Sequence, residues 1–278
     1  MELGIVVFNG WGGLTPAALG RAVEERGFES LFYTEHTHIP VHSRRADGSD
    51  ARGYAETLDP FVALAAAAAT TTTLRLGTAV LLVTQRDPII TAKEVASLDQ
   101  VSGGRFLFGV GAGWNRAELA NHGTDPRTRM SLLAERVAAM RAIWTQDEAE
   151  YHGRFVDFDP LWSWPKPVQR PHPPVLVGGN GPGAEDRVLR FGDGWLPQCG
   201  PLKDVEELRQ RIANLRRRAL DVGRGPVPVT LFSVPHDRGL LDACAAAGVD
   251  RCLLPVRQTG TPDETLSILD GLAALTAP

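Results

Sequence analysis

Four threonine- or aspartate-proline pairs in this chain stand directly ahead of a run with helical pattern: Thr15-Pro16, Asp59-Pro60, Asp87-Pro88 and Thr261-Pro262. Each pair is a helix start. The side-chain oxygen can accept a bond from an orphan N–H of the first turn, and proline at the first helical position gives up a donor that had no partner anyway. Thr261-Pro262-Asp263-Glu264 adds the spacing of a capping box. Gly27 and Gly248 each follow a helical run and precede an apolar one, where a left-handed cap is wanted. Between these signals lie eight short β-rich runs, over residues 4–8, 30–33, 74–82, 106–110, 175–177, 194–196, 229–234 and 251–254. Several are apolar throughout, as parallel strands buried on both faces are. This alternation specifies an α/β chain with one domain over residues 1–278, a (β/α)8 TIM barrel with long loops at its C-terminal face. An open doubly wound sheet would want GxGxxG after its first strand, and Asn9-Gly10-Trp11-Gly12-Gly13 lacks that spacing.

A chain of 278 residues, 43% of them hydrophobic, can bury a large core without a disulfide or metal staple. Its net charge of −4 comes from acidic and basic residues mixed along the sequence, which gives no support to nucleic-acid or polybasic membrane binding. Cys199, Cys244 and Cys252 have no metal-ligand spacing and read as reduced thiols, with Cys244 and Cys252 expected in the core. The N-terminus has no basic leader or cleavage site, and no run approaches the ~18 apolar residues of a membrane span. The expected compartment is cytoplasmic.

Two connections are long, residues 35–57 and 111–174. Both follow strands, so both are expected at the end of the barrel where active sites assemble. The second contains a predicted helix over 128–144 and then a proline- and aromatic-rich stretch over 151–174, in which Phe155, Phe158, Trp162 and Trp164 either roof a pocket or form a satellite core.

Chemistry-bearing residues cluster at these strand ends. Thr34-Glu35-His36-Thr37-His38 puts a histidine at the barrel mouth, where it can act as acid or base near neutrality, and Glu35 beside it to bond a cofactor or orient a ring nitrogen. His-x-His also suggests a metal, but the final strand runs into Pro255-Val256-Arg257 and supplies no aspartate, so no metal site is expected. Gly77-Thr78-Ala79 interrupts the third strand with small residues, consistent with a bulge, a flat ligand or simple packing. Gly109-Val110-Gly111-Ala112-Gly113-Trp114-Asn115 lets a ligand approach the main chain and then offers an aromatic wall and an amide, although a tight turn explains the glycines equally well. Gly178-Gly179-Asn180-Gly181-Pro182-Gly183, before a helix starting near Ala184, can form a nest of N–H groups for a phosphate, or a plain flexible turn. Arg44, Arg45, Arg52, Arg86, Arg127 and Arg129 fall in or beside these loops, where each is either a solvated charge or a partner for an anionic ligand.

Taken in order, Tyr33-Thr34-Glu35-His36, Leu76-Gly77-Thr78-Ala79-Val80, Ser102-Gly103-Gly104-Arg105-Phe106 with the Gly109–Trp114 run, Trp164-Pro165-Lys166-Pro167-Val168-Gln169, and Gly178-Gly179 with Gly192-Asp193-Gly194-Trp195 resemble the luciferase-like monooxygenase superfamily. They look closest to actinobacterial oxidoreductases dependent on coenzyme F420, a deazaflavin. The resemblance covers residues 1 to about 200; the last third matches only in its βα pattern. It implies a flavin-like ring against Thr78, Ala79 and Val80, with a bulge, often containing a non-prolyl cis peptide, at Ala79-Val80. His36 would be the catalytic histidine, Glu35, Trp114 and Asn115 would neighbour the ring, and Gly178, Gly179 and Asn180 would hold the phosphate. Trp114 stands where sugar-phosphate dehydrogenases of this group carry an acid, so that substrate is disfavoured. The implied activity is hydride transfer between F420 and a small organic substrate, with an FMN-dependent monooxygenase as the alternative. Two other readings remain, a flavin-binding protein without turnover and a flavin-free barrel lyase or epimerase acting on a phosphorylated sugar. A homodimer is expected on the resemblance alone.

Overall fold

The computed structural model describes residues 1–8, 12–45, 47–200, 204–258 and 260–275; Asn9, Gly10 and Trp11 of the glycine-rich turn lie outside that set. The ring strands are β1 (Glu2–Phe8), β2 (Ser30–Tyr33), β3 (Arg75–Thr78), β4 (Leu81–Leu82), β5 (Phe106–Gly111), β8 (Val175–Gly178), β9 (Gly194–Leu196), β10 (Thr230–Leu231) and β11 (Arg251–Arg257). They pair in parallel in the order β10-β11-β1-β2-β3-β5-β8-β9, with β4 continuing the line of β3 along β5. Parallel bridges Trp195↔Val229 and Gln198↔Phe232 join β9 back to the β10 edge and close the ring. The expected (β/α)8 barrel is therefore present, and all eight predicted strands appear in it.

The helices are α1 (Pro16–Glu25), α2 (Pro60–Ala68), α3 (Pro88–Val101), α4 (Arg116–Asn121), α5 (Arg129–Thr145), α6 (Ala184–Phe191), α7 (Val205–Asp221), α8 (Arg238–Ala246) and α9 (Pro262–Ala273). The four threonine- or aspartate-proline starts all work as read: Thr15, Asp59, Asp87 and Thr261 each accept first-turn N–H bonds, and Thr261 with Glu264 completes a capping box. Gly27 and Gly248 end their helices with φ of +76° and +91°.

Two apolar layers hold the barrel together. Val6, Phe32, Ala79, Leu107, Leu176, Leu196 and Leu253 fill its interior. A larger layer, including Ile5, Leu31, Phe108, Val177 and Leu254, joins the outer strand faces to the helices, and the buried Cys244 and Cys252 belong to it. Gly77 has a packing reason: a Cβ there would lie 2.2 Å from the Phe32 ring, which crosses the interior over it.

The third strand departs from a single run of residues 74–82. Its register with β5 passes from Gly77↔Leu107 to Leu81↔Val110, so it carries one more residue than its partner over that interval, a β-bulge. The Ala79–Val80 peptide within the bulge is cis. The Thr78 carbonyl turns toward β5, where a Cβ on Gly109 would meet it at 1.8 Å, and Thr78 Oγ1 donates to the Gly109 carbonyl at 2.7 Å.

A second departure concerns residues 151–174, expected at the barrel mouth. This stretch follows α5, which returns the chain to the amino-terminal end. It begins with an antiparallel hairpin, β6 (Ala149–His152) and β7 (Asp157–Leu161), whose turn is held on the side of α5 by Glu135, which accepts from Phe155 N at 2.7 Å. It continues beneath the barrel, where Lys166 Nζ donates to the Ile143 carbonyl near the end of α5 and Gln169 Nε2 donates to the Phe106 carbonyl at the start of β5. Trp162 and Trp164 are largely exposed there and do not line the cavity at the strand tips. The loop was misplaced because only its first part, up to α5, follows a strand.

Candidate active site

A cavity of about 540 Å³ opens at the carboxyl-terminal tips of the strands. Phe8 from β1, Thr34, Glu35 and His36 after β2, Leu82 from β4, Gly111 to Trp114 from and after β5, Gly178 to Pro182 from and after β8, and Leu196 from β9 all line it. Its volume lies in the range of cofactor and substrate sites, roughly 300–1,000 Å³. Ala79 and Val80 form part of the floor. Glycine on both sides lets Val80 lie flat, because a Cβ on Gly111 would come 2.3 Å from Val80 Cγ2, and one on Gly178 would come 2.9 Å from Val80 Cγ1. A broad, low, apolar floor of this kind suits a planar ring.

His36 stands at one end of the cavity with both ring nitrogens engaged. Nδ1 lies 2.8 and 3.0 Å from the two carboxylate oxygens of Glu118, and Nε2 accepts from Trp114 Nε1 at 3.2 Å. An indole N–H can only donate and a carboxylate only accepts, so this network assigns the proton to Nδ1 and leaves a lone pair on Nε2. Tyr54, from the long loop after β2, completes an aromatic cluster with ring centroids 5.2 Å from His36 and 5.8 Å from Trp114. Arg45 covers the Tyr54 ring at 4.6 Å.

Glu35 also lines the cavity, but its oxygens are spent on the scaffold. One accepts from Leu82 N just beyond the bulge, and the other accepts from Arg86 Nε at 2.7 Å. Arg86 also binds Asp59 and Glu94. Burial pushes the Glu35 carboxyl above its usual range although Arg86 opposes the shift, as expected when three carboxylates share one guanidinium. Burial works against the charge on Arg86, yet Glu35 and Asp59 together hold its pKa above the ordinary value.

At the other end, the Gly178–Pro182 loop meets two cations, Arg129 at the start of α5 and Arg187 on α6. Gly183, the N-cap of α6, has φ of +73° and provides no side-chain cap. The acids of that helix's first turn are occupied, Glu185 by Arg211 and Asp186 by Arg218. Arg129 and Arg187 have no carboxylate partner within ion-pair distance among the described residues, and the buried Nε of Arg129 has no hydrogen-bond partner. Burial holds the Arg187 pKa below its ordinary value against the pull of the nearby Asp186 and Glu185 carboxylates, and Arg129 adds a smaller push in the same direction as burial. Each arginine donates to a backbone carbonyl, Arg129 to Pro126 and Arg187 to Pro182, which leaves two guanidinium groups without a carboxylate beside a glycine loop, an arrangement that can receive an anion.

The structure thus brings His36, Glu35, Ala79, Val80, Trp114, Gly178, Gly179 and Asn180 together around one cavity. Thr78 lies beneath the floor, bonded to Gly109. Asn115 caps α4 through Ala117 N and Glu118 N and donates to Ser43, so its amide is used in holding the helix that carries Glu118. Arg44 and Arg127 are not among the lining residues. Sequence reasoning missed Glu118, Tyr54 and Arg187. The Asn115-x-x-Glu118 spacing was a signal for the first, since it marks a helix start with an acid in its first turn.

Residues 15–237 match the luciferase-like monooxygenase family. The chain belongs to that family. An uncharacterized protein of Mycobacterium tuberculosis is 50% identical over 272 residues, covering 88% of this chain and 95% of that protein. A dimethylsulfone monooxygenase of Pseudomonas putida that depends on reduced FMN is 34% identical over 156 residues, 54% of this chain and 42% of that enzyme. Among solved structures, an F420-dependent secondary alcohol dehydrogenase in complex with an F420–acetone adduct superposes with a TM-score of 0.77 at 17% identity, covering 100% of both chains. This luciferase-like chain is accordingly an enzyme of the flavin-dependent oxidoreductase and monooxygenase class. Among its described residues no helix is long and apolar enough to cross a membrane, and no group of histidine, cysteine, aspartate or glutamate side chains could hold a metal ion.

Proposed function

We propose that this enzyme is a monooxygenase that takes reduced FMN as its cofactor and acts on a small organic substrate. The observation that carries the reading is the polarity of one cavity: a flat apolar floor at Ala79, Val80 and Gly111 leads at one end to the Arg129–Arg187 anion receptor and at the other to the neutral His36. A phosphorylated planar cofactor fits that sequence of surfaces. Gly179 and Gly181 leave the loop open to a phosphate, since no atom lies within 3.4 Å of a Cβ built at either position. The flavin, when bound, supplies the electrons. The chain holds the phosphate at Arg129, Arg187 and the Gly178–Asn180 backbone, supports the ring on Val80, screens it with Tyr54 and Trp114, and holds a proton acceptor at His36 Nε2. Similarity to the dimethylsulfone monooxygenase supports FMN.

A second reading, hydride transfer with coenzyme F420, draws on the buried His36–Glu118 pair, which suits taking up or returning the one proton that accompanies a hydride. Titration of the purified protein with FMN and with F420, followed by tryptophan quenching, tests both. Oxygen uptake with reduced FMN supports the first reading, and anaerobic F420 reduction by an alcohol supports the second. Failure to bind either cofactor removes both.

A homodimer through α2 and α3 accompanies this proposal. α2 contains no ionisable residue yet exposes Val62, and its neighbour α3 exposes Ile90. The uncharged surface of α2 can meet its own copy about a two-fold axis, with the exposed Lys93 of α3 at its margin. Val62→Glu should convert a dimer to a monomer by light scattering; a protein that is monomeric without the substitution contradicts the proposal.

A further inference from the structure

We propose that Glu118 is a positioning residue that fixes His36 in the Nδ1–H form, so that Nε2 is always the nitrogen offered to the cavity as a proton acceptor. The inference rests on the reading of His36 as the group that handles the reaction's proton.

Glu118 is 0% exposed, and its carboxylate oxygens have one described hydrogen-bond partner, His36 Nδ1. Its placement is built from the backbone outward. Asn115 caps α4 by accepting from Glu118 N at 3.2 Å, which sets the first turn and aims the Glu118 side chain at the back of the imidazole. Trp114, the residue before the cap, reaches the opposite ring nitrogen. One short segment, residues 114–118, therefore grips both sides of a histidine that hangs from a different strand.

A neutral imidazole in water exchanges its proton freely between nitrogens, and only one form presents an acceptor to the substrate. Glu118 removes that freedom. When Nε2 takes a proton from a substrate group, the bonding pair stays on the substrate atom, the Nδ1 proton stays in place, and the new positive charge on the ring lies against the Glu118 carboxylate. Trp114 Nε1–H occupies the direction from which a protic substrate group must approach, so its indole has to turn aside or share that nitrogen.

The test uses the full chain labelled with 15N at histidine, with the His36 signals assigned by their loss in His36→Gln. Long-range 1H–15N correlation on the protein alone should show Nδ1–H and a bare Nε2. Trp114 Nε1–H by itself holds Nε2 as an acceptor, so the comparison is made in Trp114→Phe: there Glu118 should keep the proton on Nδ1, whereas in Trp114→Phe/Glu118→Gln the amide NH2 can donate to Nδ1 and the His36 proton should move to Nε2. Turnover should then fall about 100-fold or more, as expected for losing an acid–base group held in the wrong form, while substrate KM and cofactor Kd change less than about threefold. Glu118→Asp in that background should restore the Nδ1–H form and part of kcat. An unchanged thermal unfolding profile shows that the variants are folded. The proposal is overturned if the unsubstituted protein or Trp114→Phe shows Nε2–H, if Trp114→Phe/Glu118→Gln keeps Nδ1–H, or if the tautomer moves and kcat does not. Failure of the protein to bind either cofactor would sink the functional reading instead, and the tautomer comparison would still decide the role of Glu118.

Discussion

Replacing Arg187 by methionine keeps most of the side chain's length and removes its charge. A Cβ on Gly179 would lie 3.9 Å from Arg187 Nη2, and one on Gly183 would lie 3.4 Å from Nη1, so the guanidinium spans the loop assigned to the phosphate. A hydrogen bond to a charged group contributes about 1.5–3 kcal/mol, and every 1.4 kcal/mol is tenfold in affinity. FMN should therefore bind about 10- to 100-fold more weakly to Arg187→Met. Arg129→Met should cost a similar amount, but the double variant should lose less than the sum. Arg129 and Arg187 repel each other until an anion arrives, so relief of that repulsion is lost only once. The assay is tryptophan quenching by FMN with riboflavin, which lacks the phosphate, as the control. Riboflavin should bind the unsubstituted protein and Arg187→Met with nearly equal Kd, and added salt should weaken FMN binding alone. If Arg187→Met weakens riboflavin as much as FMN, or leaves FMN untouched, the loop does not hold the phosphate.

His36→Ala should lower kcat by about 10²- to 10⁴-fold with little effect on cofactor Kd, and equal loss of both would contradict its role in proton handling. Gly109→Ala forces a methyl into the Thr78 carbonyl, a backbone atom that cannot step aside, so it should destabilise the fold by several kcal/mol in urea unfolding; a loss under about 1 kcal/mol refutes the contact. His172 is held neutral by burial, which lowers its pKa, with Arg141 working in the same direction and the Pro173 carbonyl against it. The unfolded chain therefore binds the extra proton first. The stability due to this group is complete above the unfolded value of about 6.5 and falls as pH drops from there toward the lower folded value. His172→Gln should flatten that acid limb in unfolding measured between pH 7 and 5, and an unaltered slope would exclude the residue as its source.

The order of elements was legible because it is written in local chemistry. A threonine or aspartate before proline caps a helix where a helical pattern follows it, as at Thr15, Asp59, Asp87 and Thr261, whereas Asp159-Pro160, with no such pattern behind it, sits in β7. The bulge was visible only as small residues in an apolar run. Its shape depends on register with β5, which no local pattern carries. His36 could be placed at the mouth from its position after β2, but its partner could not. Glu118 is 82 residues away, and its cap spacing predicts a helix start without saying what the acid faces. Arg187 sits among 29 lysines and arginines with nothing local to distinguish it, and only the fold turns it toward the glycine loop. The misplaced aromatic stretch shows the same limit from the other side: Trp162 and Trp164 have the composition of a pocket roof and the location of an underside.

Because His36 hangs from one strand and Glu118 rides on the helix after another, neither half of the pair is oriented until the intervening sheet has been assembled. A fragment ending before Asn115 would contain the histidine with nothing to set its proton. Both members come from the first half of the ring, His36 after β2 and Glu118 after β5, so a chain carrying those strands alone holds the whole pair but lacks the glycine loop that follows β8.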